Sequence, residues 1–184
     1  MVYKFKLVSD EVSNFSREIE IDATSTFLQL RNAILDSVGY TKDEMGSFFL
    51  CDDQWNREEE ITYIDMGSSS DQDVWIMEDT PLNEFIEDEG QKITFVFDYL
   101  TERSFFMEMK EEIVGRNLSE PICTMKRGTP PPQYTPIEEF EKQIDAAAKK
   151  QMEDLDLDTD GLYGDTDYNE DELGSGFDEL NYNN

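Results

Sequence analysis

From residue 153 to residue 184, twelve side chains are carboxylates and none is basic. Carboxylates at that density repel one another, and too few apolar side chains lie among them to offset the entropy of ordering the segment. Gly161, Gly164, Gly174 and Gly176 raise that entropy further. The segment is therefore expected to be disordered in isolation. What remains for folding is about 150 residues, enough for one hydrophobic core.

The imbalance extends to the whole chain, which carries 44 acidic and 15 basic residues for a net charge of −29, and contains no histidine. Without imidazole there is no Ser-His or Cys-His nucleophile pair and no zinc or iron site of the kinds that need it. Two cysteines, Cys51 and Cys123, are too few for a four-thiolate metal site or a disulfide framework, so reduced thiols and a cytoplasmic location are expected. The N-terminal stretch Met1 to Asp10 lacks the apolar run of a signal peptide, and no later run approaches a membrane span. Such a charge disfavours nucleic acid and anionic membranes and favours a basic protein or peptide, or divalent cations, as partner. Lys126-Arg127 is the one local basic pair in the body.

The body alternates period-two and helical patterns. Tyr3, Phe5 and Leu7 alternate with Lys4 and Lys6, and Phe15, Ile19 and Ile21 repeat the period, which predicts a strand pair joined across the polar stretch Val8 to Asn14. Thr26 and Gln29 have the spacing of a capping box. Phe27, Leu30, Ile34 and Val38 then fall on one helical face, with Gly39 as the stop. Short strands are expected at Ser47 to Cys51 and Ile61 to Ile64, with a short helix opened by Thr80-Pro81. A second strand pair follows, in which Ile93, Phe95, Phe97 and Tyr99 point one way, and Phe105, Met107 and Met109 continue the pattern to about Ile113. Between Glu120 and Pro136 five of the six prolines define an extended loop that is no central strand. Pro136 then opens a helix whose stripe of Ile137, Phe140 and Ile144 is expected to dock on the body.

These elements predict an α+β fold with a β-grasp-like opening hairpin and helix, and helices on one face of a largely antiparallel mixed sheet. Residues 1–135 form the body, 136–152 a docked helix and 153–184 the acidic tail.

Three segments resemble the plasmid-borne family named after the third open reading frame of a root-inducing plasmid, also labelled insertion-element passenger or TnpR-like proteins. One is the capped helix from Thr26 through Gly39-Tyr40 to Phe48-Phe49. The second is Phe95, Val96, Phe97, Asp98, Tyr99, similar to the family's aromatic strand. The third is Pro121-Ile122-Cys123 followed by Gly128, Thr129, Pro130, Pro131 and Pro132. The likeness spans about residues 3 to 133 and implies a fold rather than an activity, since the family is generally uncharacterised. The family's Gly-Asp-x-Trp-x-His continuation is replaced here by Leu100, Thr101, Arg103 and Phe105. Its acidic pair after Pro-Pro is replaced by Gln133-Tyr134. A polar site built from those groups is not expected in this chain.

Among single motifs, Asp156, Asp158 and Asp160 before Gly161, with Asp167 in twelfth position, have the spacing of a calcium loop. Tyr163 in the eighth position and the glycines at 174 and 176 depart from that pattern, and a solvated acidic tail is the plainer reading. Asp98 reads as a turn-forming carboxylate, Cys51 as a small core residue, and Met107 and Met109 as core. The expected function is a non-catalytic protein-interaction module without a cofactor. It would present an aromatic sheet and a proline-rich loop, with a tail that engages a basic partner or shields its own body. The alternatives are a calcium-binding module through residues 156–167 and a nucleic-acid factor of a mobile element.

Overall fold

The computed structural model describes residues 1–64 and 74–135, together with Ile144. The chain divides into two units, Met1–Pro136 and Ile137–Asn184, and the fold below is that of the first. The expected helix over 136–152, the acidic tail and the carboxylates Asp156, Asp158, Asp160 and Asp167 lie outside the described residues.

The opening hairpin forms as the alternation predicts. Strand β1 (Val2–Val8) pairs antiparallel with β2 (Ser16–Asp22), Tyr3 opposite Ile21 and Phe5 opposite Ile19. Helix α1 (Phe27–Val38) follows. Its capping box is complete: the Gln29 backbone N–H donates to Thr26 Oγ1 and the Thr26 N–H to Gln29 Oε1, at 3.4 and 2.9 Å. Gly39 closes the helix at φ 74°, a left-handed conformation that costs glycine least. The buried helical stripe of Phe27, Leu30, Ile34 and Leu35 joins Phe5, Ile19, Phe48, Phe95, Phe105 and Met107 in one core.

The remaining strands are β3 (Ser47–Cys51), β4 (Arg57–Thr62), β5 (Trp75–Ile76), β6 (Lys92–Asp98), β7 (Arg103–Ile113) and β8 (Ile122–Arg127). They complete an eight-stranded sheet in the order β5-β4-β3-β6-β7-β1-β2-β8. Every neighbouring pair is antiparallel except β4 with β5. The result is a mainly β domain with one α-helix among the described residues, in agreement with the expected α+β class and mixed sheet.

Four local expectations are corrected. The helix opened by Thr80-Pro81 is a 3-10 turn, Leu82–Glu84. Its first N–H groups are taken by the Ser25 and Ala23 carbonyls, so the segment is fastened across the entry to α1 instead of winding on. The strand expected at Ile61 to Ile64 runs over Arg57–Thr62, and Trp75–Ile76 adds a short edge. The segment after Glu120 is not all loop, since Ile122–Arg127 forms the outermost strand. Its flanking prolines, Pro121 and Pro130 to Pro132, lie just beyond the ladder, where the missing N–H costs nothing. Finally, β6 is buried on both faces at Thr94 and Val96 as well as at Phe95 and Phe97.

Candidate functional site

The densest polar cluster in the body gathers around Arg103, the first residue of β7. Its guanidinium forks onto Glu11 in the β1–β2 connection, with Nε to Oε1 at 2.9 Å and Nη2 to Oε2 at 2.8 Å. The same group donates to the carbonyls of Pro132 at 2.7 Å and Gln133 at 3.4 Å and to Thr135 Oγ1 at 3.4 Å. Its carbon Cζ stands 5.1 Å from the Phe97 ring centroid. Asp98 completes the cluster, its Oδ2 lying 3.9 Å from Arg103 Nη1. A bidentate arginine is well matched to this task, because one planar fork satisfies a carboxylate and several carbonyls at once.

Residues 131–135 are thereby strapped to the body, and two further ties hold the strap down. Tyr40, just past the helix stop, donates its hydroxyl to the Pro131 carbonyl. Burial of the Tyr40 phenol pushes its pKa far above the ordinary tyrosine range, so it stays a donor. The Gln133 side-chain amide pairs reciprocally with the Thr41 backbone, accepting from its N–H at 2.8 Å and donating to its carbonyl at 3.0 Å. Pro131 is buried. The proline-rich loop expected to be presented to a partner is largely pinned instead, and the aromatic strand residues Phe95 and Phe97 are core side chains, 1% and 3% exposed.

Asp98 acts as the turn residue its position suggests. Its Oδ1 accepts from the Leu100 N–H at 3.0 Å and its Oδ2 from Thr101 Oγ1 at 2.7 Å, closing the β6–β7 hairpin. Tyr99 is half exposed and reaches back to Ser47 Oγ and Glu60. The structure thus brings Asp98 and Pro131 to one cluster, with Phe97 beneath it. Gly128 belongs to a second cluster. There Arg17, 4% exposed, donates to the carbonyls of Ser16, Ser37, Arg127 and Gly128 and packs over Phe15. A Cβ on Gly128 would strike the Asn14 carbonyl, and φ is +68°, so glycine is needed there. Pro121 precedes β8 and Cys123 lies within it, opposite Ile19. No hydrogen bond joins either of them to Arg103 among the described residues.

The cysteines are far apart. Cys51 ends β3 and Cys123 sits on β8, five strand spacings away in the sheet order, or about 24 Å at the usual spacing. Both are free thiols, and burial raises the pKa of Cys51, as befits a core residue. Met107 and Met109 are fully buried core residues. Among the described residues, no group of three or more Cys, Asp and Glu side chains is placed to hold a metal ion, and no helix is long and apolar enough to cross a membrane.

Sequence reasoning missed the two buried arginines. Arg31, 1% exposed, stacks 4.1 Å from the Tyr63 ring centroid and donates to the carbonyls of Lys42 and Glu44, its Nε left without a partner. Burial lowers the pKa of both Arg17 and Arg31. A signal for Arg31 existed, since it falls four residues after Phe27 and three before Ile34, inside the apolar stripe.

A profile of plasmid pRiA4b ORF-3-like proteins matches residues 2–174. This chain belongs to that family. The family likeness drawn from the Thr26 helix, the Phe95 to Tyr99 strand and the Pro121 to Pro132 segment is borne out. The fold also resembles the crystal structure of MM3350, a protein of unknown function from Methanosarcina mazei Go1. The TM-score is 0.52 at 17% identity, over 68% of this chain and 68% of that one. No curated protein matches the chain.

Proposed function

We propose that this family member is a non-catalytic interaction module whose acidic C-terminal segment engages a basic protein or peptide. The observation that carries this reading is the segregation of charge, with twelve carboxylates and no cation between residues 153 and 184. Long-range attraction to such a segment raises encounter rates with a cationic partner and weakens as salt screens it. The body supports the reading from the other side. Its best-formed polar cluster consists of groups already committed to one another, Arg103 to Glu11 and Asp98 to its own turn, so they serve as fasteners.

The test is a titration of the full chain with polylysine at rising sodium chloride, beside a variant with the twelve carboxylates of 153–184 changed to Asn or Gln. Binding that is tight at low salt, falls steeply with salt and is lost in the variant supports the proposal. Equal binding by both proteins at every salt concentration refutes it. The Asp156, Asp158, Asp160 spacing favours a second reading as a calcium-binding module, which a saturable one-to-one calcium isotherm on the same two proteins would establish in place of the first.

A further inference from the structure

The sheet has two edges of different character. On one side β5 is only two residues long. On the other, β8 offers six residues, and among the described residues no strand pairs with its outer side. An outer strand of that length is a template for another strand.

The register of β8 on β2 fixes which way its side chains face. Ile122 stands opposite Glu20, Met125 opposite Glu18 and Arg127 opposite Ser16, whereas Cys123 stands opposite Ile19, a core residue. A register shift between Glu18 and Ile19 accommodates Thr124. Ile122, Met125 and Arg127 therefore share the face of the sheet turned away from the core. Ile122 is 43% exposed. Glu120 lies two residues before Ile122, in the bend that leads into the strand. Glu120 and Arg127 are exposed, and neither forms an ion pair among the described residues.

The segment Glu120 to Arg127 thus has an acid at one end, a base at the other and apolar side chains between. We propose that two copies of this chain associate antiparallel through β8, Ile122 of each opposite Met125 of the other and Glu120 of each opposite Arg127 of the other. Only antiparallel pairing sets unlike charges together, since a parallel pair would oppose Arg127 to Arg127. A shift by one residue would set Glu120 against Lys126, which faces the core side opposite Arg17, so the faces would no longer match. The two-fold pairing uses the same patch on both copies and closes on itself, extending one continuous sheet across both. Its strength is bound to salt in an unusual direction. Each copy carries −29, so repulsion opposes association at low ionic strength and fades as the Debye length shrinks. The pairing is independent of the acidic segment's partner and stands or falls separately from it.

The experiment is sedimentation equilibrium of the full chain, without any partner, at salt from about 10 mM to about 300 mM, where the Debye length falls from about 30 Å to under about 8 Å. A monomer at low salt that becomes a dimer as salt rises is the expected result. Reversing one charge, E120R or R127E, should weaken association about tenfold or more, a cost within the range of a mispaired interfacial charge. The double variant E120R/R127E should restore it, which also shows that the single variants failed at the interface and not in folding. A chain that stays monomeric at every salt and concentration overturns the proposal, as does a dimer indifferent to both single reversals or not recovered by the double one.

Discussion

Tyr40 illustrates how one side chain couples local geometry to stability. It follows Gly39, packs against Phe97 and stacks on Phe105 at 5.4 and 6.0 Å between ring centroids, and holds the Pro131 carbonyl. Replacing it with Phe keeps the rings and removes the hydrogen bond, at a cost of about 0.5–1.5 kcal/mol near neutral pH. The pH dependence has a definite sign. Burial raises the folded-state pKa of Tyr40, so above about pH 10 the unfolded chain releases this proton first and the folded state loses stability as pH rises. Burial likewise raises Tyr3 and Tyr99, and these contribute equally to both proteins. Urea unfolding at pH 7 and pH 11 should therefore show wild type losing more stability than Y40F over that interval. Two proteins that lose the same amount would remove Tyr40 from the account.

At the scale of elements, the strap over residues 131–135 depends on the fork of Arg103. Lysine at that position keeps the charge but cannot serve Glu11 and the Pro132 and Gln133 carbonyls together. The Thr41 amide, which donates to the Gln133 side chain, reports on the strap directly. In R103K its hydrogen exchange should quicken by about tenfold or more, while amides in the β1–β7 ladder keep their protection. Unchanged exchange at Thr41 would show that the strap holds without the fork. Nothing in the sequence paired Arg103 with Glu11, which lie 92 positions apart, and Arg103 stood out only as one of the positions where the family's continuation is replaced. The capped helix and the β6–β7 hairpin were legible for the opposite reason. Thr26, Gln29 and Gly39 act within a few residues, as do Asp98 and Thr101, and the aromatic alternation is local. Strand β4 was legible only in part, since Arg57 and three glutamates carry no apolar period and their pairing is imposed by β3, with Phe49 opposite Glu60. Strand β8 was hidden by the prolines that bracket it.

For the whole molecule, the uncovered charge sets the limits within which all these contacts act. A body held together by a core of large aromatics, with two buried arginines answered by carbonyl oxygens and by the rings of Phe15 and Tyr63, has its attractive terms at short range. The opposing term is the mutual repulsion of 44 carboxylates against 15 cations, and it acts over the Debye length. Ion pairs such as Lys4 with Glu111 and Arg116 with Glu20 are weakened by salt, each by less than about 1 kcal/mol, whereas repulsion summed over a net charge of −29 is relieved. Relief should win, so the thermal midpoint at fixed, dilute protein concentration should rise between about 10 mM and about 150 mM sodium chloride and then level off as screening saturates. Calorimetry at a concentration too low for self-association separates this effect from dimer formation. A midpoint that falls with salt would mean that paired charges, not surplus ones, govern the stability of the fold.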